Sequence, residues 1–129
     1  MSTEHLFGLT ETFLGESFFR VVIDDERTHV RGGRHLRTSA DALEYLKRFQ
    51  NQTDATIDEL YLDHDLGGDD SIRPVVDELE RACFEGEPYR IRRIFVHTAN
   101  PVGADMIMRS RLLNENYKLA RIGLDSFKV

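Results

Sequence analysis

Three short stretches of this chain carry groups that could do chemistry together. They are Asp24-Asp25, Asp63-His64-Asp65 followed by Gly67-Gly68, and His97-Thr98 followed by Asn100. Carboxylates crowded into one place repel, and a bound divalent cation is the usual relief. Oxygen donors favour magnesium, manganese or calcium, and an added imidazole widens the choice to zinc, iron or nickel. Two imidazoles facing one phosphorus suit the jobs of general base and general acid, because an unperturbed histidine titrates near about pH 6.5. The residues leave open which of His64 and His97 would be base and which acid. The Thr98 hydroxyl with nearby backbone amides suits an oxyanion such as a phosphoryl group. The glycine turn and the helix start at Ser71 offer further amides for phosphate, and Arg27 offers a guanidinium for a phosphate oxygen.

Each stretch closes an apolar run of strand type: Phe18 to Ile23 before Asp24, residues 57–62 before Asp63, and Ile91 to Val96 before His97. β-branched and aromatic residues favour strands. Between the runs lie helical patterns. Thr38 or Ser39 caps a helix over about residues 40–50, with Ala42, Leu43, Leu46 and Phe49 on one face. Asp70-Ser71 is expected to cap a second helix, with Ile72, Val75, Val76, Leu79 and Cys83 as its buried stripe and Gly86 as its stop. Asn100-Pro101 opens a third helix that should run to about Asn114, and Leu119 to Leu124 reads as a last strand. His35-Leu36-Arg37 reads as a short edge strand.

Strands alternating with helices imply a mostly parallel sheet of about five strands with right-handed crossovers, an α/β flavodoxin-like architecture. In such a sheet the carboxyl ends of the strands gather at one rim, where sites form. Asp24, Asp25, Asp63 and His97 should therefore meet. The loop after the first strand is short for a helix and no helix follows the last strand, so the helices should lie mainly on one face. The strands agree. One parity carries Phe19, Val21, Ile23, Leu60, Leu62, Ile94, Val96, Ala120 and Ile122, and the other mixes Arg20, Glu59, Arg93 and Arg121 with Val22, Tyr61 and Phe95. A sheet covered on both faces would read apolar throughout. The second face is expected to be covered only in part, by residues 1–17, by a partner subunit in a homodimer, or by both. Residues 1–17 read as an extension packing on a domain of residues 18–129.

The chain has 129 residues, 40% hydrophobic and 31% charged, which fits one soluble domain able to bury its own core. A net charge of −6 argues against a general nucleic-acid or anionic-membrane binder. The single cysteine, Cys83, excludes an internal disulfide and reads as core, and with no spanning run or secretory pattern a cytoplasmic setting is expected. His5, His29 and His35 carry no motif, although the last two lie in a loop that could reach the site. Asp69 and Asp70 read as turn and cap residues, and Arg92 and Arg93 as a solvated strand edge.

A strand ending in two acids, a second ending in aspartate and a third ending in Thr-Ala resemble the receiver domain of two-component signalling. That resemblance implies magnesium on Asp24 and Asp25, phosphoryl acceptance by Asp63 and phosphoryl contact by Thr98. The receiver's lysine at the end of the last strand has no counterpart, since Lys118 precedes that strand and Lys128 comes too late. The first and last receiver helices also have no counterpart. A closer resemblance is to the cyclic-phosphate-processing receiver domains. It rests on Ile23-Asp24-Asp25-Glu26-Arg27, Leu62-Asp63-His64-Asp65-Leu66-Gly67 and Val96-His97-Thr98-Ala99-Asn100-Pro101-Val102-Gly103, and spans roughly residues 19–115. It implies a small phosphoesterase for cyclic phosphates, either small molecules or RNA 2′,3′-cyclic ends. On that reading Asp24, Asp25, Asp63 and Asp65 would hold magnesium or manganese, and His64, His97, Asp63 and Thr98 would do the chemistry. Arg27, Thr98, Asn100 and Gly67 would contact phosphate. The competing readings are a signalling module phosphorylated on Asp63 and a non-catalytic binding domain.

Overall fold

The structure is a computed structural model and describes residues 9–13, 16–26 and 33–123. In chain order the elements are β1 (Leu9–Phe13), β2 (Glu16–Ile23), β3 (Arg34–Leu36), α1 (Ser39–Gln52), β4 (Ile57–Leu62), α2 (Arg73–Phe84), β5 (Ile91–Val96), α3 (Pro101–Met108), α4 (Arg111–Asn116) and β6 (Lys118–Arg121). Five strands are parallel and lie in the order β3-β2-β4-β5-β6. Counted among themselves in chain order, this is the flavodoxin-like sequence 2-1-3-4-5. The remaining strand, β1, pairs antiparallel with the first half of β2, on the same edge that β3 takes further along.

All four helices among the described residues feed one core. Ala42, Leu46 and Phe49 of α1, Val75 and Leu79 of α2, Ala104 and Ile107 of α3, and Leu113 of α4 pack with Val21, Ile23, Leu60, Leu62, Ile94 and Val96. The helices therefore occupy one face of the sheet. The opposite face holds a separate small cluster of Val22 and Tyr61, against which Phe95 and Ile122 pack. Tyr61 and Phe95 stack there at 4.8 Å between ring centroids.

The last strand has the opposite parity to the one read from sequence. Ile94 pairs with Leu119 and Val96 with Arg121, so Leu119 packs on the helix side and Ile122 on the other. Each parity of this short strand carries one large apolar residue, and a one-residue shift exchanges the faces. The helix expected to reach about Asn114 is instead two. Ser110 interrupts it, accepting from the Leu113 amide at 3.3 Å and donating to Glu80 at 2.6 Å. Serine favours that non-helical cap position over a helix interior. Nor does Asp70 cap α2, whose N-cap is Ile72 without a side-chain bond. Asp70 accepts instead from the Ser39 amide at 2.8 Å and the Ser71 amide at 3.0 Å, tying the β4–α2 loop to the start of α1.

Candidate metal centre and its histidines

The hydrogen-bond ladder runs one residue past each named strand and locks the rim in step. Asp24 donates its amide to Leu36, Asp63 to Ile23, His97 to Leu62 and Ile122 to Val96, all at 2.9–3.0 Å. Asp24, Asp63 and His97 are thereby neighbours across the sheet. Asp24, Asp25 and Asp63 each present a ligand atom within 4.8 Å of the other two.

Electrostatics show what this crowding does. Burial above all, opposed by a hydrogen bond from Thr98 and reinforced by the charges of Asp24 and Asp25, pushes the Asp63 carboxyl up to about 6. Asp24 is also raised, first by burial, although the Glu26 amide donates to it at 2.9 Å. Charged His35 would favour ionised Asp24, so β3 does reach the electrostatics of the site. Carboxylates held ionised against their own repulsion are a fit for a divalent cation, and an all-oxygen donor set suits magnesium, manganese or calcium.

The two histidines fare differently. His64 is 20% exposed in its side chain, and its Nδ1 lies 2.9 Å from Asp65 Oδ1. His97 is 2% exposed, its Nδ1 lies 3.8 Å from Asp24 Oδ2, and its ring meets Tyr61 edge-on at 6.0 Å. Burial holds the His97 imidazole down at about 4. The expectation that both imidazoles titrate near neutrality is thus not met by His97, because the sheet removes its charged form from water.

His97 and Asp63 make opposite contributions to stability in overlapping pH windows. The depressed His97 stabilises fully above its unfolded value of 6.5, and that contribution is lost as pH falls toward about 4. The raised Asp63 does the reverse, costing stability above about 6 and relieving it as pH falls toward 3.8. Between pH about 7 and about 5 the metal-free Asp63→Asn protein should lose stability on acidification, and His97→Gln should gain it. Urea titrations at both pH values check the two signs; equal slopes would refute the assignment.

Asp65 does not join the three-acid group. It is 64% exposed and turned toward His64 and Asn100, whose amide nitrogen donates to Asp65 Oδ2 at 3.4 Å. Asn100 caps α3 by accepting from the Gly103 amide at 2.9 Å, and its own amide donates to Thr98 Oγ1 at 3.2 Å. Gly67 has φ +87°, and a side chain there would come within 2.9 Å of Asp25 Oδ2. This turn therefore presses backbone against the acids, as only glycine allows. Arg27 and His29 lie outside the described residues. Sequence reasoning missed the part played by Gly103, against which the His64 ring packs. The available signal was a glycine in the first turn of a helix, where alanine is the better helix former.

A parallel 2-1-3-4-5 sheet with acids at two adjacent strand ends and Thr98 at a third defines a receiver-like domain. The chain belongs to the cyclic-phosphate processing receiver domain family, whose match covers residues 19–113. No curated protein and no solved structure gives a significant match.

Proposed function

We propose that this protein is a metal-dependent phosphoesterase that opens cyclic phosphates, such as nucleoside 2′,3′-cyclic phosphates or the same group at an RNA end. The observation that carries the proposal is the His64–Asp65 pair, 2.9 Å between Nδ1 and Oδ1, beginning one residue after Asp63 of the acid group. Such a pair supplies a held proton acceptor, which hydrolysis of a cyclic phosphate calls for. A phosphoryl-accepting signal module would use a lysine at the carboxyl end of the last strand, whereas Lys118 opens β6 beside Arg93 at the other end.

In this reading a water oxygen bonds to phosphorus and its proton passes to His64. The ring P–O bond breaks, and the released ribose oxygen takes up a proton, leaving a phosphomonoester. Asp24, Asp25 and Asp63 would hold the cation, which supplies positive charge opposite the phosphoryl oxygens. Thr98 donates to Asp63 and fixes that carboxylate. His97, buried and neutral, sits beside Asp24 and acts as a positioning residue for it, so the work of proton transfer falls to His64.

The test is phosphorus NMR of a nucleoside 2′,3′-cyclic phosphate incubated with the protein and manganese or magnesium. Conversion to monoester that stops on adding EDTA is the expected result. No conversion, with acetyl phosphate instead leaving a stable acyl phosphate on Asp63, would favour the signalling reading.

A further inference from the structure

We infer that Asp65, Asn100 and Gly103 form a holder that fixes His64 in one ring orientation and one tautomer, with the proton on Nδ1 and Nε2 left as the acceptor. The inference deepens the proposed role of His64 and rests on that reading for its consequence, though not for its geometry.

Four contacts carry it. An ionised carboxylate only accepts hydrogen bonds, so the nitrogen 2.9 Å from Asp65 Oδ1 must bear hydrogen. Asp65 is 64% exposed, the setting in which a carboxylate acts as an acceptor only. The orientation of Asn100 is not arbitrary either. Its oxygen faces the Gly103 amide at 2.9 Å, so its NH2 must face Asp65 Oδ2, at 3.4 Å. Last, the ring lies on the backbone of Gly103. A Cβ built there would fall 2.3 Å from His64 Cγ and 2.5 Å from Cδ2. Any other residue at 103 would push the ring off its seat.

With Nδ1 on Asp65 and the Cγ–Cδ2 edge on Gly103, the His64 ring makes no other hydrogen bond among the described residues. That leaves Nε2 as the ring nitrogen able to take a proton. Histidine tautomers are set by the bond that the other nitrogen makes. The pair is too exposed, with Asp65 at 64%, for its attraction to matter much to stability. Its effect is orientation. The same contacts link the β4–α2 loop to the first turn of α3, so two separate strand ends together define where His64 stands.

The experiment is nitrogen-15 NMR of the His64 ring in the full, metal-free chain at a pH where the imidazole is neutral. Wild type should show a protonated Nδ1 and a bare Nε2. Asp65→Ala should move the proton to Nε2, the tautomer that neutral histidine prefers in water. Gly103→Ala should displace the ring, changing the pattern of its contacts to residue 103, and lower the melting temperature. That drop should shrink in a His64→Ala background but not vanish, since the His64 Cβ itself lies 2.8 Å from the built atom. A wild-type proton on Nε2, or a tautomer indifferent to Asp65→Ala, would overturn the inference. No turnover is needed, so a confirmed tautomer in a protein that leaves cyclic phosphates intact would refute the phosphoesterase reading alone.

Discussion

Asp63→Asn is expected to weaken binding of manganese or magnesium about 100-fold or more while making the metal-free protein more stable. The first half follows from geometry. Asp63 is one of three acids whose ligand atoms lie within 4.8 Å of one another, and a neutral amide is a poor donor to a hard cation. The second half follows from the sign of its perturbation. Its carboxyl titrates at about 6, so at pH 7 the folded chain holds it ionised at a cost. Removing that charge relieves repulsion from Asp24 and Asp25. After screening at this half-buried rim the gain should be on the order of 1 kcal/mol, which corresponds to roughly 2–6 °C in melting temperature for a domain of this size. Calorimetric titration with manganese and melting in EDTA measure both halves. Undiminished affinity would place the cation elsewhere. A less stable metal-free variant would mean that Thr98 and the backbone support ionised Asp63 more than burial and its neighbours oppose it.

The second large effect belongs to His64. With its Nδ1 on Asp65, the imidazole is placed to take and return a proton through Nε2, and loss of such a group typically lowers turnover by about 10²–10⁴-fold. His64→Ala should therefore cut kcat for cyclic-phosphate opening by that order while leaving manganese affinity within a few fold, because the ring is not part of the acid group. His97→Ala should behave differently. Its imidazole lies 3.8 Å from Asp24, so it should weaken metal binding together with turnover. Kinetics at saturating manganese separate the two: raised metal should restore much of the His97→Ala activity and none of the His64→Ala activity. Full activity of His64→Ala would remove the histidine from the mechanism.

The rim of acids was legible because its logic is short-range. Apolar strand runs end at Asp24 and Asp63, alternation with helices makes the strands parallel, and parallel strands gather their ends. The resemblance then tied Thr98 to the same rim. Depth was not legible. His64 and His97 are the same residue type next to the same acids, yet one is 20% exposed in its side chain and the other 2%. Nothing in local sequence says that Tyr61 will flank His97 and that the chain will cover it. Direction past a strand end was equally hidden. Asp63 and Asp65 stand two residues apart, but the second is turned toward His64 and Asn100 and does not join the acid group. The faces of β6 were lost because Leu119 and Ile122 give both parities one apolar residue. Gly103 was visible only as a letter in a motif until the ring of His64 was seen to lie on it.

The central claim is that three carboxylates from two separate strand ends make one cation site beside His64. Titrating substoichiometric manganese into the nitrogen-15-labelled chain tests it most directly, since the paramagnetic ion broadens the signals nearest to it. The amides of Asp24, Asp25 and Asp63 should vanish first, with those of His64 and Thr98 close behind and α4 unaffected. Broadening that begins instead around the exposed acids of α2 or α4, or that spreads evenly over the acidic surface, would contradict it.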